Sequence, residues 1–223
     1  VANDGLPAGL AASYYRPDEV RTSGGMLRLG LRRRDFGGRP YTAGGIACPG
    51  LVQQYGRYEY RAKVPASAGA GAYTVLWPED DWAAEAAVIG AFLPEGASAG
   101  QGVVRLVAGS GRPGAGGPSQ PGGPGAAGGS PEAGTGDRFR TYVIEASPAG
   151  LLVSVDGREV LRDERVAQRR RWLGFAMSTG DASVGLPEPD SLPVEFTIDW
   201  LRVYSYAESP PGAFIDPQRA GVA

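Results

Sequence analysis

Histidine is absent from this 223-residue chain, so no mechanism that uses imidazole as base, proton shuttle or metal ligand is open to it. Cys48 is the single cysteine, which excludes an internal disulfide and a thiolate metal cluster. No run of about 18 apolar residues occurs, so no membrane span is expected. Charge of one sign is scarce too, with a net charge of −2. The densest basic spots, Arg32 to Arg34 and Arg169 to Arg171, are short and lack interleaved exposed aromatics. They read as solvated strand edges or loops, and no nucleic-acid partner is expected. No basic segment followed by an apolar one opens the chain, so it reads as cytoplasmic or already processed.

What is present repeats with period two, not 3.6. Met26 to Leu31 alternates, Tyr58 to Val64 alternates again, and Pro65 ends that second run. Tyr73 to Trp77 is continuously apolar, as in a strand buried on both faces. Val103–Val107, Phe139–Ala146, Leu151–Val155, Trp172–Met177 and Val194–Tyr206 follow in the same style. Asp156-Gly157, set between two apolar runs, predicts a tight hairpin. Many short strands and no long helical stripe predict an all-β sandwich or barrel.

One compositional break interrupts the pattern. Residues 109–136 are mostly Gly and Pro with almost no apolar side chains, too little to offset their chain entropy by burial. The strands on both sides complete one sandwich, so the segment is read as a mobile loop inserted in a single domain, 1–223.

Five motifs in order carry a family resemblance. Tyr55-Gly56-Arg57-Tyr58-Glu59-Tyr60-Arg61-Ala62-Lys63-Val64-Pro65 resembles a signature of glycoside hydrolase family 16, the family of laminarinases and lichenases. Tyr41 to Ile46, Leu76 to Trp82, Val153 to Gly157 and Ile198 to Tyr204 resemble that family's other strand motifs, covering nearly the whole chain. The resemblance implies a concanavalin A-like β-jelly roll of two curved antiparallel sheets, with a sugar groove across the concave one. It also implies secretion, so an extracellular or cell-surface location is the expectation, with a cytoplasmic one left open.

Family members are retaining glycosidases with three carboxylates alternating along one strand. Alternate residues share a face, which brings nucleophile and acid/base about 5–5.5 Å apart. Aligned without gaps from Trp82, those positions here fall on Ala87, Ile89 and Phe92, and the sole nearby carboxylate is Glu85. One carboxylate cannot act both as covalent nucleophile and as proton donor. The resemblance therefore points to a domain without hydrolytic activity that binds a polysaccharide or a protein partner. An active endo-β-glucanase using Asp80, Asp81 and Glu85, and a purely structural module, are the rival readings.

Trp82, Glu85, Tyr73 and Trp77 are the candidate ligand-binding residues: aromatic rings for sugar stacking and one carboxylate for a sugar hydroxyl. Trp77 sits in a buried-looking run and is equally a core candidate, favoured as such; for Trp172, too, core packing is expected. Glu59, Arg61 and Lys63 share a strand face and predict a cross-strand charge ladder. Asp199 matches a position where the family often holds a structural calcium, although pairing with Arg202 or a neighbouring strand explains it equally well. No cofactor is required by any of these readings.

Overall fold

The computed structural model describes residues 1–5, 11–80, 86–93, 102–108, 136, 138–164, 169–180 and 184–206. Among them run fourteen strands: β1 (Ser13–Tyr15), β2 (Val20–Ser23), β3 (Met26–Phe36), β4 (Arg39–Ala43), β5 (Gly45–Gln53), β6 (Gly56–Lys63) and β7 (Gly71–Pro78), then β8 (Ala87–Phe92), β9 (Val103–Ala108), β10 (Arg140–Ser147), β11 (Gly150–Val155), β12 (Arg158–Asp163), β13 (Arg171–Ser178) and β14 (Val194–Ser205). The helical content of the described residues is two 3-10 turns, Pro17–Glu19 and Pro189–Ser191. A nine-stranded sheet has the order β1-β4-β3-β14-β6-β10-β11-β12, with β2 on β3, and a five-stranded sheet has the order β5-β13-β7-β8-β9. This is the expected all-β jelly-roll sandwich, with one difference from an antiparallel pair of sheets: β1 runs parallel to β4.

The core lies between the sheets, and β6 shows how the sequence makes it. Tyr58, Tyr60 and Ala62 are buried in the core, while Arg57, Glu59, Arg61 and Lys63 alternate with them on the outward side. Tyr60 stacks on Tyr142 at 5.2 Å, meets Phe175 edge-on at 5.1 Å, and its hydroxyl lies 2.7 Å from Thr74 Oγ1 across the sandwich. Burial of that phenol drives its pKa far above the ordinary value. Each such buried aromatic contributes about 1.5–3 kcal/mol of apolar burial. The Asp-Gly hairpin forms as expected: Asp156 (φ 50°) and Gly157 (φ 80°) turn the chain from β11 into β12.

The Tyr41-Thr42-Ala43-Gly44 segment acquires a structural cause. The Pro17–Glu19 turn lies against the outward side of β3 and β4, where a Cβ on Gly44 would meet the Glu19 carbonyl oxygen at 2.5 Å. A Cβ on Gly30 would meet Glu19 Oε2 at 2.8 Å. Glu19 is thereby buried, and it accepts hydrogen bonds from Arg32 Nε at 2.7 Å and from Thr42 Oγ1 at 2.7 Å. Arg34 adds a second positive contact at 3.3 Å. Residues 109–135 of the Gly/Pro-rich segment lie outside the described residues, and Gly136 donates its N–H to the Val64 carbonyl at 3.0 Å.

Candidate functional site

The sheet that carries β8 presents one face to the core and one outward, and pairing decides which residue goes where. Ile89 is opposite Thr74, whose hydroxyl reaches Tyr60 in the other sheet, so Ile89 points inward. Ala87, Ile89 and Ala91 accordingly belong to the inter-sheet core. Gly90 is opposite Tyr73 and Arg105, so Val88, Gly90 and Phe92 share the outward face with them. Of the three positions read from the ungapped register, Ala87 and Ile89 point into the core, and Phe92 points the other way. The stretch Ala-Ala-Val-Ile-Gly-Ala-Phe is apolar on both faces, so the sequence offers no alternation from which to read the face.

The outward face has a closed end and an open one. Tyr73, Phe92, Val103, Ala176 and Ser178 are buried, and the Tyr73 and Phe92 rings cover Gly90 so closely that a Cβ there would meet Tyr73 Cε1 at 2.9 Å and Phe92 Cε1 at 3.2 Å. At the other end Val75, Trp77, Val88 and Trp172 are half-buried. Trp77 and Trp172 sit opposite each other on β7 and β13, with ring centroids 6.2 Å apart and planes tilted by 32°. Gly174 makes room for the second ring: a Cβ there would meet Trp172 Cζ3 at 3.1 Å. Both tryptophans thus lie on the outward surface, where the sequence had favoured the core. Their strands are apolar on both sides for different reasons, one side being core and the other an aromatic platform.

Ion pairs rim the open end. Arg170 Nε donates to Glu79 Oε2 at 2.8 Å, and Arg169 pairs with Asp80. Asp80, one carboxylate of the hydrolase reading, is therefore held by a guanidinium. Arg171, the third of that basic run, is no solvated edge residue: it is 3 % exposed on the core side of β13, and burial pulls its pKa below the ordinary value. Arg105 on β9 is exposed, with its guanidinium carbon 5.7 Å from the Phe92 ring centroid. Arg105 carried no sequence signal, because it stands alone in an otherwise apolar strand, and Arg171 was read together with its two arginine neighbours. Trp82, Glu85 and Asp81 lie outside the described residues.

On the opposite surface of the sandwich the expected charge ladder is present. Arg57 bridges Glu145 at 3.0 Å and Glu59 at 3.3 Å, and Arg61 pairs with Asp199. Asp199 stands at a β-bulge between Ile198 and Trp200, which aims its carboxylate at the neighbouring strand. The Arg202 guanidinium instead lies over the Trp200 ring at 4.6 Å. No group of three or more His, Cys, Asp or Glu side chains placed to hold a metal occurs among the described residues. The Asp199 carboxylate is engaged by the Arg61 guanidinium.

Solved structures match this arrangement over almost its full length. A native glycosidic hydrolase superposes with a TM-score of 0.72 at 18 % identity, covering 93 % of this chain and 90 % of that one. The laminarinase from Rhodothermus marinus gives 0.63 at 20 % identity, covering 93 % and 97 %. A prokaryotic β-1,3-1,4-glucanase (lichenase) derived from a mouse hindgut metagenome gives 0.67 at 16 %, covering 92 % of each chain. The chain has the family 16 glucanase fold. At these identities the likeness speaks for the fold alone. No protein-family model matches the sequence, and no curated protein matches it.

Proposed function

We propose that this chain is a non-catalytic glucanase-fold domain that binds a glycan on the outward face of its five-stranded sheet. One observation carries the reading: the strand positions that share that face, Val88, Gly90 and Phe92, offer no side-chain oxygen, while the Trp77–Trp172 platform stays half-exposed. A retaining glycosidase needs two carboxyl groups about 5–5.5 Å apart, one to attack and one to protonate the leaving oxygen. Glu85 supplies one at most. Sugar stacking needs neither, because a pyranose presents C–H groups to a flat ring, and tilted neighbouring rings on adjacent strands offer two such faces. The relatives in fold are named as laminarinases and a lichenase, so laminarin and lichenan are the first ligands to test.

Affinity electrophoresis through gels containing those polysaccharides tests the proposal. The unaltered chain should be retarded, and Trp77→Ala or Trp172→Ala should each weaken retardation about five- to tenfold, the worth of an aromatic contact of about 1–1.5 kcal/mol. Retardation unaffected by either substitution would move the ligand off this face. Absence of retardation in every gel would favour the structural-module reading.

A further inference from the structure

We infer that the preferred ligand is an anionic polysaccharide, selected by Arg105; this rests on the glycan-binding reading above and deepens it. Among the described residues, charge at the open end of the outward face of the five-stranded sheet is paired. There Arg169 pairs with Asp80 and Arg170 with Glu79, so the rim carries no net charge from these four groups. The residues around Arg105 are apolar: Gly90 is directly opposite, with Phe92 and Val103 beside it. Among the described residues no carboxylate pairs with Arg105, whose guanidinium lies over the Phe92 ring. Phe92 is 1 % exposed and fixed by its neighbours, so the guanidinium rests on a rigid support.

Arg105 is level with Tyr73 across Gly90, two strands from β7, and Trp77 lies four residues further along. Two strand spacings and four residue rises put the cation about 16 Å from the platform. That is the reach of a short oligosaccharide, so one chain can stack on Trp77 and Trp172 and bring an acidic substituent to Arg105. A planar guanidinium suits both carboxylates and sulfate esters, through paired N–H donors.

The test measures binding of the full chain to matched polymers: polygalacturonate against its methyl ester, and dextran sulfate against dextran. The unaltered protein should prefer the anionic member of at least one pair by about fivefold or more, and the preference should shrink when salt is raised from about 0.05 to 0.5 M. Carboxylate and sulfate specificity are separated by which pair shows it. Arg105→Gln should reduce the preference about two- to fivefold, the range of an exposed charge contact, without altering neutral-polymer binding. Arg105→Lys should restore part of it. Equal binding within both pairs, or a preference untouched by Arg105→Gln, overturns this inference while leaving the platform reading standing. Failure of every polymer, laminarin included, brings down both.

Discussion

The two outward surfaces of this sandwich are built from the same kind of strand and finished with opposite chemistry. On the nine-stranded sheet, outward positions carry guanidinium–carboxylate pairs: Arg21 and Arg28 with Glu195, Arg57 with Glu59 and Glu145, Arg61 with Asp199, Arg162 with Glu159. On the five-stranded sheet they carry Tyr73, Trp77, Phe92 and Trp172, with Gly90 and Gly174 clearing space for rings. A laddered surface satisfies itself and has little left for a ligand. An aromatic surface with half-exposed rings retains apolar area that water covers poorly, the usual mark of a binding face. On the proposed reading, stacking and catalysis depend on different side chains of one face, so the first can persist without the second.

The largest effect separating the two surfaces is expected at Glu19. Glu19→Ala leaves Arg32 and the buried Thr42 hydroxyl without their acceptor, removes one of the two carboxylates on Arg34, which keeps Asp18, and should cost about 2–3 kcal/mol in urea unfolding, discounted because both arginines are more than a third exposed. Glycan retardation should be unchanged. Loss of retardation at full occupancy of the folded state would show that the surfaces are coupled.

A smaller effect is expected at Gly90. A methyl group there meets the Tyr73 and Phe92 rings within 3.2 Å, so Gly90→Ala should cost about 1–2 kcal/mol through overpacking, read from the same unfolding curves. A neutral substitution would mean that the closed end is looser than its packing indicates.

The fold was legible in the residues because most strands bury one face. Met26 to Leu31 and Tyr58 to Val64 alternate as β3 and β6 do, and Asp156-Gly157 makes the turn its chemistry demands. The site was less legible for a physical reason. β8 and β7 are apolar on both faces, so alternation says nothing about which residues face outward, and only pairing with β7 and β9 separates Ala87 and Ile89 from Val88, Gly90 and Phe92. The approach of Glu19 to Gly30 and Gly44 joins a 3-10 turn to residues well beyond it in the chain, so no local pattern marks why those glycines stand where they do.

The ladder makes a pH-dependent contribution of lower magnitude. Partial burial pushes the Glu195 pKa up, but hydrogen bonds from Arg21 and Arg28 outweigh it and hold the carboxyl below its usual range. Its folded value is depressed, so its stabilising contribution is present above the ordinary carboxylate pKa of about 4.3 and is lost as pH falls through the lowered value. Arg28→Gln should raise that carboxyl's titration midpoint by NMR and lower stability at neutral pH by a few tenths of a kcal/mol. The difference should vanish at pH about 2. A midpoint unmoved by the substitution would assign the depression to Arg21 alone.

Hydrolysis of β-glucan by the unaltered chain is the most direct measurement of what this face can do. Reducing ends released from laminarin and lichenan at micromolar protein should match buffer alone, since general acid catalysis by itself contributes about 10²–10⁴-fold and Val88, Gly90 and Phe92 supply no proton donor. Turnover above buffer that Glu85→Gln abolishes would contradict the non-catalytic reading and return the chain to the hydrolases whose fold it shares.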